Sequence, residues 1–209
     1  ESMQGLASAH EISGALMAGA QQMLHNEDPR RTLREVFDDC FYSTLGLTTQ
    51  DLAPIAEHFY AHRFPTLQPL TRPAPAARRI LEWAVAEGLA VDLISNPLFP
   101  RTAQAQRLAW AGVPQDDFLY TRLHGFETAR FAKPNPEFFA QTLAALNCPP
   151  GQALAVGDHW TYDILPAASL GMHTFWITDD PSRRPPPTLD RAWEAVFRTP
   201  TAVPTAQGT

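Results

Sequence analysis

Over residues 1–64 apolar positions recur at helical spacing, with no stretch of alternation and no β-branched run, which predicts helices and no strand. The first helix spans Leu6–Leu24, with Leu6, Ile12, Leu16, Met17, Met23 and Leu24 as its apolar positions. Gly14 and Gly19 either weaken it or mark close packing. Asn26-Glu27-Asp28-Pro29 is a stop and restart, with Asp28 the candidate N-cap and Pro29 the first helical residue. Leu33, Val36, Phe37, Cys40 and Phe41 then repeat at helical spacing until Gly46. Thr49 is the candidate cap of a third helix, whose stripe is Leu52, Ile55, Phe59 and Tyr60. From Phe64 to Ala76 the pattern breaks: Pro65, Pro69, Pro73 and Pro75 are too many for a helix or a central strand, so a linker is expected.

Beyond the linker the period changes. Helices are predicted over Ala76–Glu87, Pro100–Ala111, Pro134–Leu146 and Tyr162–Leu170. They alternate with short apolar strands at Leu89–Ile94, Asp117–Thr121, Ala153–Val156 and Met172–Ile177. Strands alternating with helices predict an α/β fold with a doubly wound parallel sheet. The expected division is a helical domain over 1–64, a linker over 65–75, the α/β core over 76–178 and a Pro-rich tail over 179–209. That tail holds Pro185-Pro186-Pro187 and a helical turn or two around Leu189–Phe197.

Bulk composition narrows the function classes. Hydrophobic residues make up 44% and charged residues 18% of the 209, which predicts a packed core rather than disorder. The net charge of −6, with no basic run, argues against nucleic acid as a partner. Cys40 and Cys148 lie far apart in no motif, which is compatible with a reducing cytoplasm. No apolar run approaches membrane-spanning length, so no membrane is expected as a partner.

The densest chemistry lies in Ala153–Asp163, where an apolar strand runs into Gly157-Asp158 and a second acid, Asp163, follows five residues later. Ligand sites of open α/β sheets collect at the carboxyl ends of strands. Two carboxylates on a short loop suit Mg²⁺, a hard ion that keeps several waters; alternatively Asp158 makes a turn and Asp163 caps the next helix. At the end of the first predicted strand, the Ser95 hydroxyl and Asn96 amide suit a phosphate oxygen, or serve as ordinary turn residues. Lys133, ahead of the Pro134-initiated helix, could neutralise a phosphoryl group, or be a solvated loop lysine.

Each of these points falls at a strand's carboxyl end or at the following helix start. Taken together, Ser95, then Lys133-Pro134-Asn135-Pro136, then Gly157-Asp158 with Asp163 resemble the second, third and fourth motifs of the haloacid dehalogenase (HAD) superfamily of hydrolases. The Gly171-Met172-His173-Thr174 turn is also similar to that family, and residues 1–64 resemble its α-helical cap. The resemblance implies a HAD-like Rossmannoid core with an α-helical cap, and a Mg²⁺-dependent phosphatase acting on a small phosphate ester. It implies that Asp158 holds the ion with support from Asp163, that Ser95 holds a phosphoryl oxygen, and that Lys133 steadies nucleophile and phosphate. Asn96 and Trp160 stand near the implied mouth as substrate contacts.

The family's first motif, a strand ending in Asp-x-Asp whose first Asp is the nucleophile, does not occur in these 209 residues. Asp38-Asp39 lies in a helical pattern and Asp92 inside a strand, so neither substitutes. Without that central strand, the strands of the second and fourth motifs would leave main-chain groups unpaired, and the chain alone is expected to fold poorly. The nucleophile strand is expected upstream of Glu1. Otherwise a second chain supplies it, or the fold has become a catalytically inactive phosphate-binding or interaction protein. A 2-haloacid dehalogenase is the lesser alternative, because that chemistry dispenses with the metal that the paired acids suit. His58 and His62, four apart, form a helix-face pair without a third ligand, and Phe37, Phe41, Tyr42, Phe59, Tyr60 and Phe64 form a packing cluster.

Overall fold

The computed structural model describes residues 7–118 and 120–178. The proline run and the helix expected over Leu189–Phe197 lie outside the described residues. Two compact units divide the chain, one ending at Lys133 and the other beginning at Pro134.

Helix α1 (Ala9–Leu24) starts on a capping box in which the Ser8 hydroxyl accepts from the Glu11 N–H and the Glu11 carboxylate accepts from Ser8. Helix α2 (Leu33–Leu45) starts on a second one, Thr32 with Glu35, four residues later than the Asp28-Pro29 start expected from sequence. Asp28 turns instead toward Arg30, whose guanidinium it meets at 2.9 Å and which holds its carboxyl down at about 2. Gly46 caps the end of α2 as expected. The two helices pack closely at Gly19, where a Cβ would stand 2.7 Å from the Phe37 ring; Gly14 faces open space. Close packing is therefore the reason for one glycine and not for the other.

Helix α3 (Thr49–His58) is capped from Thr48 rather than Thr49, with the Asp51 carboxylate accepting from the Thr48 N–H and hydroxyl. It runs on through a π-helical turn, Phe59–Arg63, into 3₁₀ turns over Phe64–Leu70. The expected linker is thus half structured: Phe64 is buried against Trp110, ring centroids 5.1 Å apart, and only residues 71–74 are irregular. The aromatic cluster resolves into two, Phe37–Phe41–Tyr42 and Phe59–Tyr60–Phe64.

Helices α4 (Pro75–Ala86) and α5 (Arg101–Trp110) flank strand β1 (Val91–Leu93), which pairs in parallel with β2 (Tyr120–Leu123). Leu108, Val113, Phe118 and Leu123 form the core of this part. β2 begins three residues later than expected, because residues 114–117 close a turn and the Asp117 carboxylate is drawn to Arg78 at 2.9 Å.

In the second unit α6 (Pro136–Leu146) is capped by Asn135. β3 (Leu154–Gly157) pairs in parallel with β4 (His173–Trp176), and helix α7 (Leu165–Ser169) connects them. The pattern of parallel strands separated by helices is the expected α/β class, present among the described residues as two two-stranded sheets. Alternation along β3 places Ala155 inside at 2% exposure, whereas Leu154 and Val156 remain 49% and 39% exposed. Parallel strands ordinarily bury both faces, so this sheet face is only half covered.

Candidate functional site

In the first unit the chain leaves β1 and reaches Ser95 two residues later, half-buried in a turn. Asn96 does the structural work there. Its side-chain oxygen accepts from the Lys133 N–H at 3.0 Å, and its amide donates to the Lys133 carbonyl at 3.3 Å. The Asn96 carbonyl in turn accepts from the buried Gln104 amide of α5 at 3.1 Å. Residues 37 positions apart are thereby tied, and Ser95 and Lys133 are brought onto adjoining loops. Asn96, expected to touch substrate, has both of its side-chain polar atoms on the Lys133 main chain. Lys133 is 8% exposed, which rules out the solvated loop lysine that its composition alone allowed.

In the second unit every main-chain carbonyl of the turn after β3 is taken. Gly157 O accepts from the Ile177 N–H at 2.8 Å, Asp158 O from the Trp176 indole N–H at 2.9 Å, and His159 O from the Asp163 N–H at 2.7 Å. The Asp163 carboxylate, 6% exposed, reaches back to accept from the His159 N–H at 2.9 Å. Asp163 therefore acts in the manner of a reversed cap on the π-helical turn Trp160–Ile164, while the His159 ring accepts from the Tyr162 N–H. Gly157 makes this possible: a Cβ there would lie 2.5 Å from the Asp163 carboxyl group, so only glycine leaves room. The Asp158 carboxylate makes no hydrogen bond or ion pair among the described residues and is exposed. Three bonded carbonyls, those of 157 to 159, thus flank an uncommitted carboxylate.

That donor set decides which ions would fit. Among the described residues no group of three or more His, Cys, Asp or Glu side chains converges. One open carboxylate and one buried carboxylate suit a hard octahedral ion that keeps several waters, and do not suit a closed zinc cage. Trp160, the other expected substrate contact, stands against Trp176, ring centroids 4.9 Å apart and tilted by 54°.

Other titratable groups lie outside these turns. The His58 and His62 rings lie 4.6 Å apart and tilted by 48° on the exposed side of α3 and its π-helical extension. Asp92 of β1 meets the His124 ring at 3.0 Å in a pair only 6% and 10% exposed, and Asp92 Oδ1 is buried without a hydrogen-bond partner among the described residues. Burial, with the Glu127 carboxylate second, pushes the Tyr60 phenol up. Sequence reasoning missed Trp176 and the His124 partner of Asp92, since both depend on strand register. No helix among the described residues is long and apolar enough to cross a membrane.

Comparison with known proteins bears on the same stretch. Residues 130–198 match the HAD-hydrolase-like family. Two curated proteins, both called haloacid dehalogenase-like hydrolase domain-containing protein 3, are similar to this chain. The one from Xenopus laevis is 33% identical over 103 residues, covering 49% of this chain and 40% of the relative. That from Danio rerio is 41% identical over 97 residues, covering 46% and 38%. The chain thus spans about two fifths of the length of these relatives. Among solved structures it is similar to a HAD phosphatase from Thermococcus onnurineus, with a TM-score of 0.48 and 19% identity over 83% of this chain and 79% of that one. It is also similar to the L-2-haloacid dehalogenase RSc1362, with a TM-score of 0.45 and 18% identity over 86% and 73%.

Proposed function

We propose that the chain belongs to the haloacid dehalogenase superfamily of hydrolases, to which its 130–198 stretch and its curated relatives are similar, and that it carries the helical cap and most of the core of a Mg²⁺-dependent phosphatase acting on a small phosphate ester. The observation that carries this reading is the Gly157–Asp163 turn, whose main chain is pinned at each carbonyl from 157 to 159 while the Asp158 carboxylate stands open.

In this reading Asp158 and Asp163 hold the ion, which when bound spreads the charge that develops on the phosphoryl group. Asp163 keeps its place because its carboxylate also accepts from the His159 N–H. Ser95 donates its hydroxyl proton to a phosphoryl oxygen. The Lys133 ammonium balances the negative charge of nucleophile and phosphate, and Asn96 fixes the Lys133 main chain so that the lysine emerges at a set point. Trp160 borders the leaving group. In this reading the attacking carboxylate belongs to an Asp-x-Asp strand outside these 209 residues; it attacks phosphorus as the P–O bond to the ester alcohol breaks and the alcohol leaves, and water then hydrolyses the phospho-aspartate to phosphate and the free carboxylate.

The test is steady-state turnover by the full-length protein of p-nitrophenyl phosphate and a panel of small phosphate esters. Turnover that needs Mg²⁺ and stops on chelation is the expected result. Release of halide from 2-chloropropionate without added metal, with no phosphate release, would replace this reading by a dehalogenase. Silence in both assays from a protein of verified mass would make the chain a binding protein.

A further inference from the structure

Trp176 closes β4, directly opposite Gly157 in the parallel register. Two consecutive carbonyls of the acid-bearing turn are taken up by the end of this one strand: Gly157 O by the Ile177 N–H, and Asp158 O by the Trp176 indole. The second bond is unusual in kind. No main-chain N–H among the described residues reaches the Asp158 carbonyl, so a side chain from 18 residues downstream supplies the donor. An indole suits that task, because it donates and never accepts and has only two side-chain torsions to fix. Its ring also backs onto Trp160 at 4.9 Å, which limits the torsions further.

The peptide that follows Asp158 decides where its carboxylate points. That peptide is held at its two ends, the His159 N–H by the Asp163 carboxylate at 2.9 Å and the Asp158 carbonyl by the indole at 2.9 Å, so loss of the indole leaves the carbonyl end without a donor. We infer that Trp176 is a positioning residue for Asp158: its indole N–H holds the Asp158 carbonyl, and so sets the direction of the carboxylate that the proposed phosphatase presents to its metal. This inference rests on the phosphatase reading, and it adds a residue that the second, third and fourth motifs do not contain.

The test uses the full-length protein and Trp176→Phe, which keeps an aromatic ring against Trp160 while removing the donor together with the pyrrole part of the indole. Wild-type turnover is measured first, since its absence removes the phosphatase reading and this inference together. With an active wild type, Trp176→Phe should lower kcat about tenfold and raise half-saturating Mg²⁺ several-fold, with KM changed less than twofold. Amide hydrogen exchange over residues 157–163 should quicken at the same time, a readout that needs neither metal nor turnover. In the wild type the Trp176 indole N–H should exchange more slowly than a solvent-exposed indole, which holds whether or not the variant folds. A freely exchanging indole, or an active variant whose kcat and Mg²⁺ dependence stay within twofold of wild type, would overturn the positioning role while leaving the phosphatase reading intact.

Discussion

Lys133 and Asp158 carry opposite charges and are held in opposite ways. Lys133 is buried, and the device that fixes it is a side chain, the Asn96 amide, closing on the lysine's own main chain from both sides. Asp158 is exposed, and its main chain is fixed by donors arriving from β4 and by the Asp163 hairpin of bonds. A buried cation is costly to keep, so the surrounding structure over-determines its place. An exposed anion costs little, but only a rigid turn gives it a direction. The first arrangement therefore ties function to stability, whereas the second separates them, and substitutions should divide along that line.

The largest effect falls on Asp158. Asp158→Asn keeps the shape of the side chain and removes the charge that suits a hard cation, so kcat should drop by about 10²- to 10³-fold. As an exposed side chain without hydrogen bonds, it should move stability by no more than about 0.5 kcal/mol in thermal unfolding. An unchanged kcat would remove Asp158 from the site. Next is Gly157→Ala, which puts a methyl group where the Asp163 carboxyl lies. Overpacking of this kind costs about 1–3 kcal/mol, and Asp163 must move to relieve it, so activity should fall along with the melting temperature. A variant as stable and as active as wild type would show that Asp163 is not seated against Gly157 in solution.

The same contrast explains what was legible in the sequence alone. The acid pair was legible because strand, glycine and both carboxylates sit within eleven residues, and the geometry that unites them is local. Thr32 and Glu35 were equally local, yet Asp28-Pro29 offered a rival start that won on sequence and lost to the Arg30 ion pair in the fold. Trp176 was illegible for a different reason: nothing about a tryptophan at a strand end says which carbonyl it meets until the register Gly157↔Trp176 is known. Asn96 was seen as a substrate contact, but its two side-chain bonds were illegible because they go to a residue 37 positions away. The burial of Lys133 belongs to the same class, because composition at 133 describes a loop and only tertiary packing removes it from water.

Asn96 gives the smallest and most discriminating case. Asn96→Ala removes the acceptor for the Lys133 N–H and the donor to the Lys133 carbonyl together. Two main-chain groups of a buried residue then lose their partners, at a cost of about 1–3 kcal/mol in denaturant unfolding. Loosening the lysine's point of emergence should lower kcat about tenfold, because a displacement of well under 1 Å already weakens catalysis. Asn96→Asp separates the two bonds: its carboxylate still accepts from the N–H but sets an oxygen against the Lys133 carbonyl, so its stability relative to Asn96→Ala reads the N–H bond less the repulsion between the two oxygens. A raised KM with kcat and stability unchanged in both variants would place Asn96 on the substrate, and the tie to Lys133 would then be incidental to the site.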